Sequence, residues 1–184
     1  MLSNMNSLLQ EQVRDLYSAE TQLVKALPKV AKAASSDSLR KAIEAHLEET
    51  RGHVERLQRI AELLETKPGG KKCKGMEGLL AEGKEALEEE GPEPLVDAGL
   101  IAAAQRIEHY EISAYGSARA MAEALGLDSV VTLLQQSLVE ERAADEELSR
   151  ISLKEVLPAC EMAPDGSDSL PGTPRPKNGA KKRA

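Results

Sequence analysis

The sequence predicts an all-α protein: four long helices in a bundle of two antiparallel hairpins, joined by a long crossover that carries a short extra helix. Three observations lead there. Apolar residues recur three and four apart over four long stretches, which places them on one face of each helix. No sustained alternating run of β-branched residues marks a strand. The breaks between the stretches are short twice and long once, which sets the order of hairpin, crossover, hairpin.

The first helix is expected over residues 7–34, with Leu9, Val13, Leu16, Glu20, Leu23, Leu27 and Val30 on its stripe. Pro28 lies inside it and should kink or loosen its last turns. Ser35-Ser36-Asp37-Ser38 forms a turn with good N-cap chemistry for the second helix, residues 37–65. Its stripe is Leu39, Ile43, His46, Thr50, His53, Leu57, Ile60 and Leu64, with Glu49 on the edge. Lys67-Pro68-Gly69-Gly70 stops that helix. A connection follows over residues 71–92 with its own amphipathic helix at about 76–90, closed by Gly91-Pro92. The third long helix, residues 93–125, carries Ile101, Ala104, Glu108, Glu111, Tyr115, Ala118, Ala122 and Leu125. Gly126-Leu127-Asp128 turns the chain into the fourth, residues 128–157, with Val131, Leu134, Leu138, Glu141, Asp145 and Leu148. Two hairpins joined by one crossover is the ferritin-like four-helix bundle arrangement. The bundle is expected over residues 1–160, and residues 161–184, rich in Pro and Gly and ending in Lys181-Lys182-Arg183-Ala184, as a disordered basic tail.

The chain has 184 residues, enough for one domain with a full core. Its 24 Lys and Arg against 31 Asp and Glu give a net charge of −7, which argues against nucleic-acid binding by the bundle. There is no Phe or Trp and there are three Tyr, so the core is built of Leu, Ile, Val, Ala and Met. The N-terminal residues show no basic start followed by an apolar block, and no stretch is long and apolar enough for a membrane span. Cys73 and Cys160 then read as reduced thiols of a cytoplasmic protein with no membrane partner.

The chemistry-bearing feature is acid where the core should be apolar. Glu20, Glu49, Glu108 and Glu141 fall near the middle of their helices, and short turns bring central positions to one height. A bare carboxylate in a bundle core is strongly disfavoured unless paired or metal-bound. One core glutamate satisfied by a Tyr or His is common; the same feature on all four helices points to a metal site. Companions lie one turn away: His46 and His53 around Glu49, Glu111 after Glu108, and Asp145 after Glu141. Gly52 and Ala144 stand where a Glu-x-x-His pattern would put histidines. The second helix therefore offers His46, His53 or neither, and the fourth offers Asp145. A set so rich in oxygen suits iron or manganese. Tyr17, Tyr110 and Tyr115 read as core residues or hydrogen-bonding neighbours of the metals. Cys73, flanked by lysines, reads as an exposed thiol of lowered pKa or of no consequence.

Asp15-Leu16-Tyr17-Ser18-Ala19-Glu20, His46-Leu47-Glu48-Glu49-Thr50 and the run Ala102-Ala103-Ala104-Gln105-Arg106-Ile107-Glu108-His109-Tyr110-Glu111 resemble the bacterial YciE/YciF-type, stress-related ferritin-like family. So do residues 73–79 and Glu140-Glu141-Arg142, and the match spans about residues 5–157. The resemblance implies a homodimeric ferritin-like bundle tied to stress responses, whose members are often labelled ferroxidases. It matches Glu20, Glu49, Glu108 and Glu141 to the four helix-borne acids of the wider class, and Glu111 to a second acid on the third helix. The expected protein binds two iron ions, with manganese as the alternative, and meets oxygen or hydrogen peroxide. A dimanganese catalase-like enzyme and a non-catalytic metal-stabilised scaffold are the competing readings.

Overall fold

The computed structural model describes residues 4–162. The expected tail, residues 161–184, lies outside the described residues but for its first two. Helix α1 (Met5–Ala33) pairs with α2 (Asp37–Leu63), α3 (Lys74–Glu88) rides in the crossover, and α4 (Glu93–Ala124) pairs with α5 (Asp128–Ile151). A π-helical turn (Ser152–Val156) and α6 (Leu157–Met162) prolong α5. No strand occurs among the described residues. The fold is the ferritin-like bundle that the spacing predicted.

The ends of the helices follow from local chemistry. Asn4 caps α1 with a reciprocal pair: its side chain accepts from the Ser7 amide (2.8 Å) and the Ser7 hydroxyl accepts from the Asn4 amide (3.1 Å). Ser36 caps α2 by accepting from the Leu39 amide. The carboxylate of Asp97, on α4, accepts from the Ser35 and Ser36 amides at 2.9 and 2.8 Å, fastening the α1–α2 turn to the other hairpin. Pro28 does not break α1, which runs helical through it to Ala33. Pro158 has no amide to donate, and the π turn lies directly before it, with the Leu157 amide reaching Ser152 O. That turn carries the last helix on to Met162, past its expected end.

Apolar side chains form two clusters stacked along the bundle axis. One holds Leu23, Leu27, Leu39, Ile43, Met76, Leu100, Ile101 and Leu148. The other holds Leu9, Val13, Leu16, Leu57, Ile60, Tyr115 and Leu134. Between them, at the level of Glu20, His46, His53 and Glu141, the interior is polar. Helix α3 closes one side by packing on α4 and α1, with Met76 fully buried. Gly75 lets the Tyr110 ring pack closely there: an added Cβ would stand 3.0 Å from that ring.

Candidate metal centre

Each bundle helix sends ionisable side chains into the polar layer. Helix α1 contributes Glu20; α2 contributes His46 and His53, seven residues and two turns apart on one face; α4 contributes Glu108 and Glu111; α5 contributes Glu141. All six are buried, Glu20, His53, Glu111 and Glu141 completely. They form two sets that share a member: His46, Glu108, Glu111 and Glu141, and Glu20, His53 and Glu141, with potential ligand atoms within 4.8 Å of one another in each set.

The hydrogen-bond inventory separates these acids from structural ones. Buried Asp97 has both oxygens satisfied by backbone amides. By contrast, nine buried side-chain atoms among the described residues have no hydrogen-bond partner, and all nine belong to Glu20, His46, His53, Glu108, Glu111 and Glu141. An unsatisfied buried polar atom costs about 1–3 kcal/mol, more when charged. A fold tolerates such a concentration where something else completes the coordination. Carboxylate and imidazole together form the donor set of iron, manganese and zinc sites. The residues present therefore fit a pair of divalent metal ions.

Without them the crowded acids are offset only by protons held at the centre. Burial, then the neighbouring acids, hold the Glu108 and Glu111 carboxyls well above the ordinary range. Burial also raises Glu20, reinforced by the Glu141 charge and opposed by His53. Glu141 is lowered: burial works against it, but the contact and charge of His53 prevail. Burial alone would depress both histidines. Instead Glu108, Glu49 and Glu141 raise His46 to about 9, and Glu141 and Glu20 raise His53 to about 11.

Both imidazoles point one nitrogen inward. His53 Nδ1 stands 2.9 Å from Glu141 and 3.4 Å from Glu20, while its Nε2–H donates to Glu140 Oε2 at 2.7 Å. A carboxylate only accepts, so the proton sits on Nε2 and leaves Nδ1 as the ligand atom of the neutral ring. Glu140 is in turn held by Arg56, whose guanidinium also donates to Ser137 Oγ. His46 presents Nε2 to Glu108 (3.4 Å) and Glu141 (3.9 Å), with Nδ1 toward Glu49 at 3.7 Å. The Tyr115 hydroxyl donates to Glu20 Oε1 and fixes that carboxylate.

Six of the eight residues expected from the sequence meet here; Glu49 and Asp145 do not. Glu49 is exposed, because a step of three residues stops about 60° short of a full helical turn and leaves it on the edge facing solvent. Asp145 lies in the α4–α5 seam, where Oδ1 accepts from Gln105 (3.0 Å) and Oδ2 stands 3.4 Å from His109. Both histidines of α2 reach the centre. Glu140, Arg56 and Ser137 carry no ligand spacing in the sequence, and Glu140 figures there only as the neighbour of Glu141. Of the tyrosines only Tyr115 touches the centre: Tyr110 donates to Asp15, and Tyr17 accepts from Gln58. Cys73 is a further correction. It is 1% exposed and caps α3, and burial, against a contact with Tyr110, raises its pKa.

Residues 4–159 match the family model described as Domain of unknown function (DUF892). The chain belongs to the DUF892 family. It is 44% identical over 143 residues to Protein YciF of Escherichia coli strain K12, covering 77% of this chain and 86% of that relative. The crystal structure of that E. coli stress protein superimposes with a TM-score of 0.82 at 40% identity, over 85% of this chain and 99% of the other. YcfI of Rhodopseudomonas palustris, provisionally described as a structural protein, matches with a TM-score of 0.77 at 41% identity, over 80% and 94% of the two chains. A ferritin-like diiron-carboxylate protein from Bacillus anthracis matches at 17% identity with a TM-score of 0.64, over 82% and 99%, and shows the shared fold alone.

Proposed function

We propose that Glu20, His46, His53, Glu108, Glu111 and Glu141 hold two metal ions, with Glu141 shared, in a non-haem di-iron stress protein of ferroxidase type. The observation that carries this is the confinement of all nine unpartnered buried side-chain atoms to these six residues. Four carboxylates with two neutral imidazoles balance two divalent cations, whereas the metal-free centre keeps a surplus of acid. Bound iron would supply one-electron chemistry toward oxygen or hydrogen peroxide. The chain supplies the setting. Glu140 keeps the His53 proton on Nε2, Tyr115 orients Glu20, and the two apolar clusters limit water from above and below. The protein would act as a cytoplasmic homodimer, with no membrane or nucleic-acid partner.

Manganese in place of iron would make a peroxide-consuming centre, since an oxygen-rich set suits either ion. A second reading is a scaffold in which metal only stabilises the fold, and the description of the R. palustris relative favours it. Metal quantitation followed by anaerobic ferrous loading and addition of oxygen or peroxide separates them. Two ferrous ions per chain, oxidised faster than in protein-free buffer, are expected. Tight loading with oxidation no faster than buffer would leave the scaffold, and peroxide-driven oxygen evolution with manganese alone would favour the second metal.

A further inference from the structure

A cavity of about 420 Å³ runs into the bundle on the Leu23 side of the metal centre. Its volume falls within the roughly 300–1,000 Å³ of small-molecule sites. Four features describe what would fill it. The wall is aliphatic, with side chains such as Leu23, Ile43, Leu80, Leu100, Ile107 and Leu148, and carries no Phe, Tyr or Trp ring to stack on a planar ligand. Small residues on four helices (Ala26, Ala42, Gly83 and Ala104) hold the space open; a Cβ added at Gly83 would still clear Ala103 at 3.9 Å. Exposed Lys25 and Lys29, one turn apart on α1, and Lys84 on α3 outnumber the acids on the same rim, Glu49 and Glu147, of which Glu147 is held by Arg150. Among the described residues, Lys25 and Lys29 have no acidic partner, and Lys84 meets Glu88 on its own helix. At the buried end stand His46 and Glu108.

An apolar cleft of this size forfeits packing along its walls unless an apolar ligand fills it. Unpaired lysines at the surface, in a chain of net charge −7, select an anion for the other end of that ligand. We propose that the cavity binds a long-chain fatty acid, with its carboxylate between Lys25, Lys29 and Lys84 and its alkyl chain running inward toward His46 and Glu108. The identity of the cavity's ligand deepens the metal-centre reading by naming what would lie beside it. The binding itself needs no metal.

The test is calorimetric titration of the full metal-free chain with laurate below its micellar concentration. Saturable one-to-one binding is expected. Gly83→Leu and Ala26→Phe place bulk in the cavity and should each weaken binding at least tenfold. The first removes a helical glycine and so does not weaken α3 itself. The double variant Lys25→Glu, Lys29→Glu changes only exposed residues; it should weaken laurate tenfold and leave dodecanol unchanged. No saturable binding by the wild type, including a cavity sealed by a second copy of the chain in sedimentation analysis, would overturn the proposal. So would unchanged laurate affinity in the lysine variant together with both cavity-filling variants. Metal loading is measured separately on the same preparations. Laurate binding without metal uptake would sink the metal reading alone, and the reverse result would sink this one.

Discussion

Glu141 is the one side chain common to both ligand sets, and His53, Glu20, His46 and Glu108 all lean on it. Replacing it removes a ligand from each position at once. Glu141→Ala is expected to lose at least one of two tightly bound metals in equilibrium dialysis, whereas Glu49→Ala and Asp145→Ala keep both. Loss of a metal on Glu49→Ala would return that exposed acid to the ligand set. The histidines give a pH dependence whose sign follows from their direction. Folded values of about 9 for His46 and about 11 for His53 lie above the ordinary 6.5. Their contribution to metal-free stability is complete below about pH 6.5 and is lost as pH rises, through about 9 for His46 and about 11 for His53. The raised carboxyls of Glu108 and Glu111 act in the same direction. Glu141, lowered, contributes in the opposite sense, and only in acid. The melting temperature of the metal-free protein should therefore fall between pH 6.5 and 9. Metal affinity should rise over that window, since binding displaces the imidazole protons. A flat melting profile would show that the histidines are already neutral in the fold.

At the level of the element, helices α2 and α4 end with the same device. After α4 the Leu127 amide donates to Ala122 O and the Gly126 amide to Glu123 O, with Gly126 at φ +69°. After α2 the Thr66 amide donates to Ala61 O and the Glu65 amide to Glu62 O, with Glu65 at φ +53°. The left-handed position costs a side chain about 1 kcal/mol or more and costs glycine almost nothing. Glu65→Gly should stabilise by about 1 kcal/mol and Gly126→Ala should destabilise by a similar amount in denaturant titrations. A loss of stability in Glu65→Gly, or no loss in Gly126→Ala, would contradict the assigned caps. The cap after α4 matters for the centre because the short turn it opens fixes the height of α4 against α5, which brings Glu111 level with Glu141.

Across the whole molecule, a polar layer divides the core into two apolar clusters. Metal-free, that layer is a weakness shared by all four long helices. Filling it should lock both hairpins together. A metal present at 100 times its dissociation constant adds about 2.7 kcal/mol to folding stability. A melting temperature that rises with ferrous or manganous ion and returns after chelation is the expected outcome. No shift with either ion would leave the buried acids without the partner argued for them. The same layer explains the cavity's place: where the stripe turns polar around His46, the aliphatic packing beside it opens.

The sequence by itself determined the helices, their pairing and the level of the acids. Apolar spacing is a property of one strand of chain, and turn length limits how two helices can meet. It also singled out six of the residues that the fold gathers. Tertiary structure decided which of eight candidates face inward. Glu49 sits at the edge of its stripe and Asp145, though on its stripe, turns into the α4–α5 seam, and a shift of some tens of degrees about a helix axis is set by packing against the neighbours. The partners of His53 were likewise illegible, since Arg56, Ser137 and Glu140 come together from two helices that are distant in the chain. The same holds for Cys73, whose lysine-rich neighbourhood in the sequence gives way, once α3 docks, to a buried contact with Tyr110.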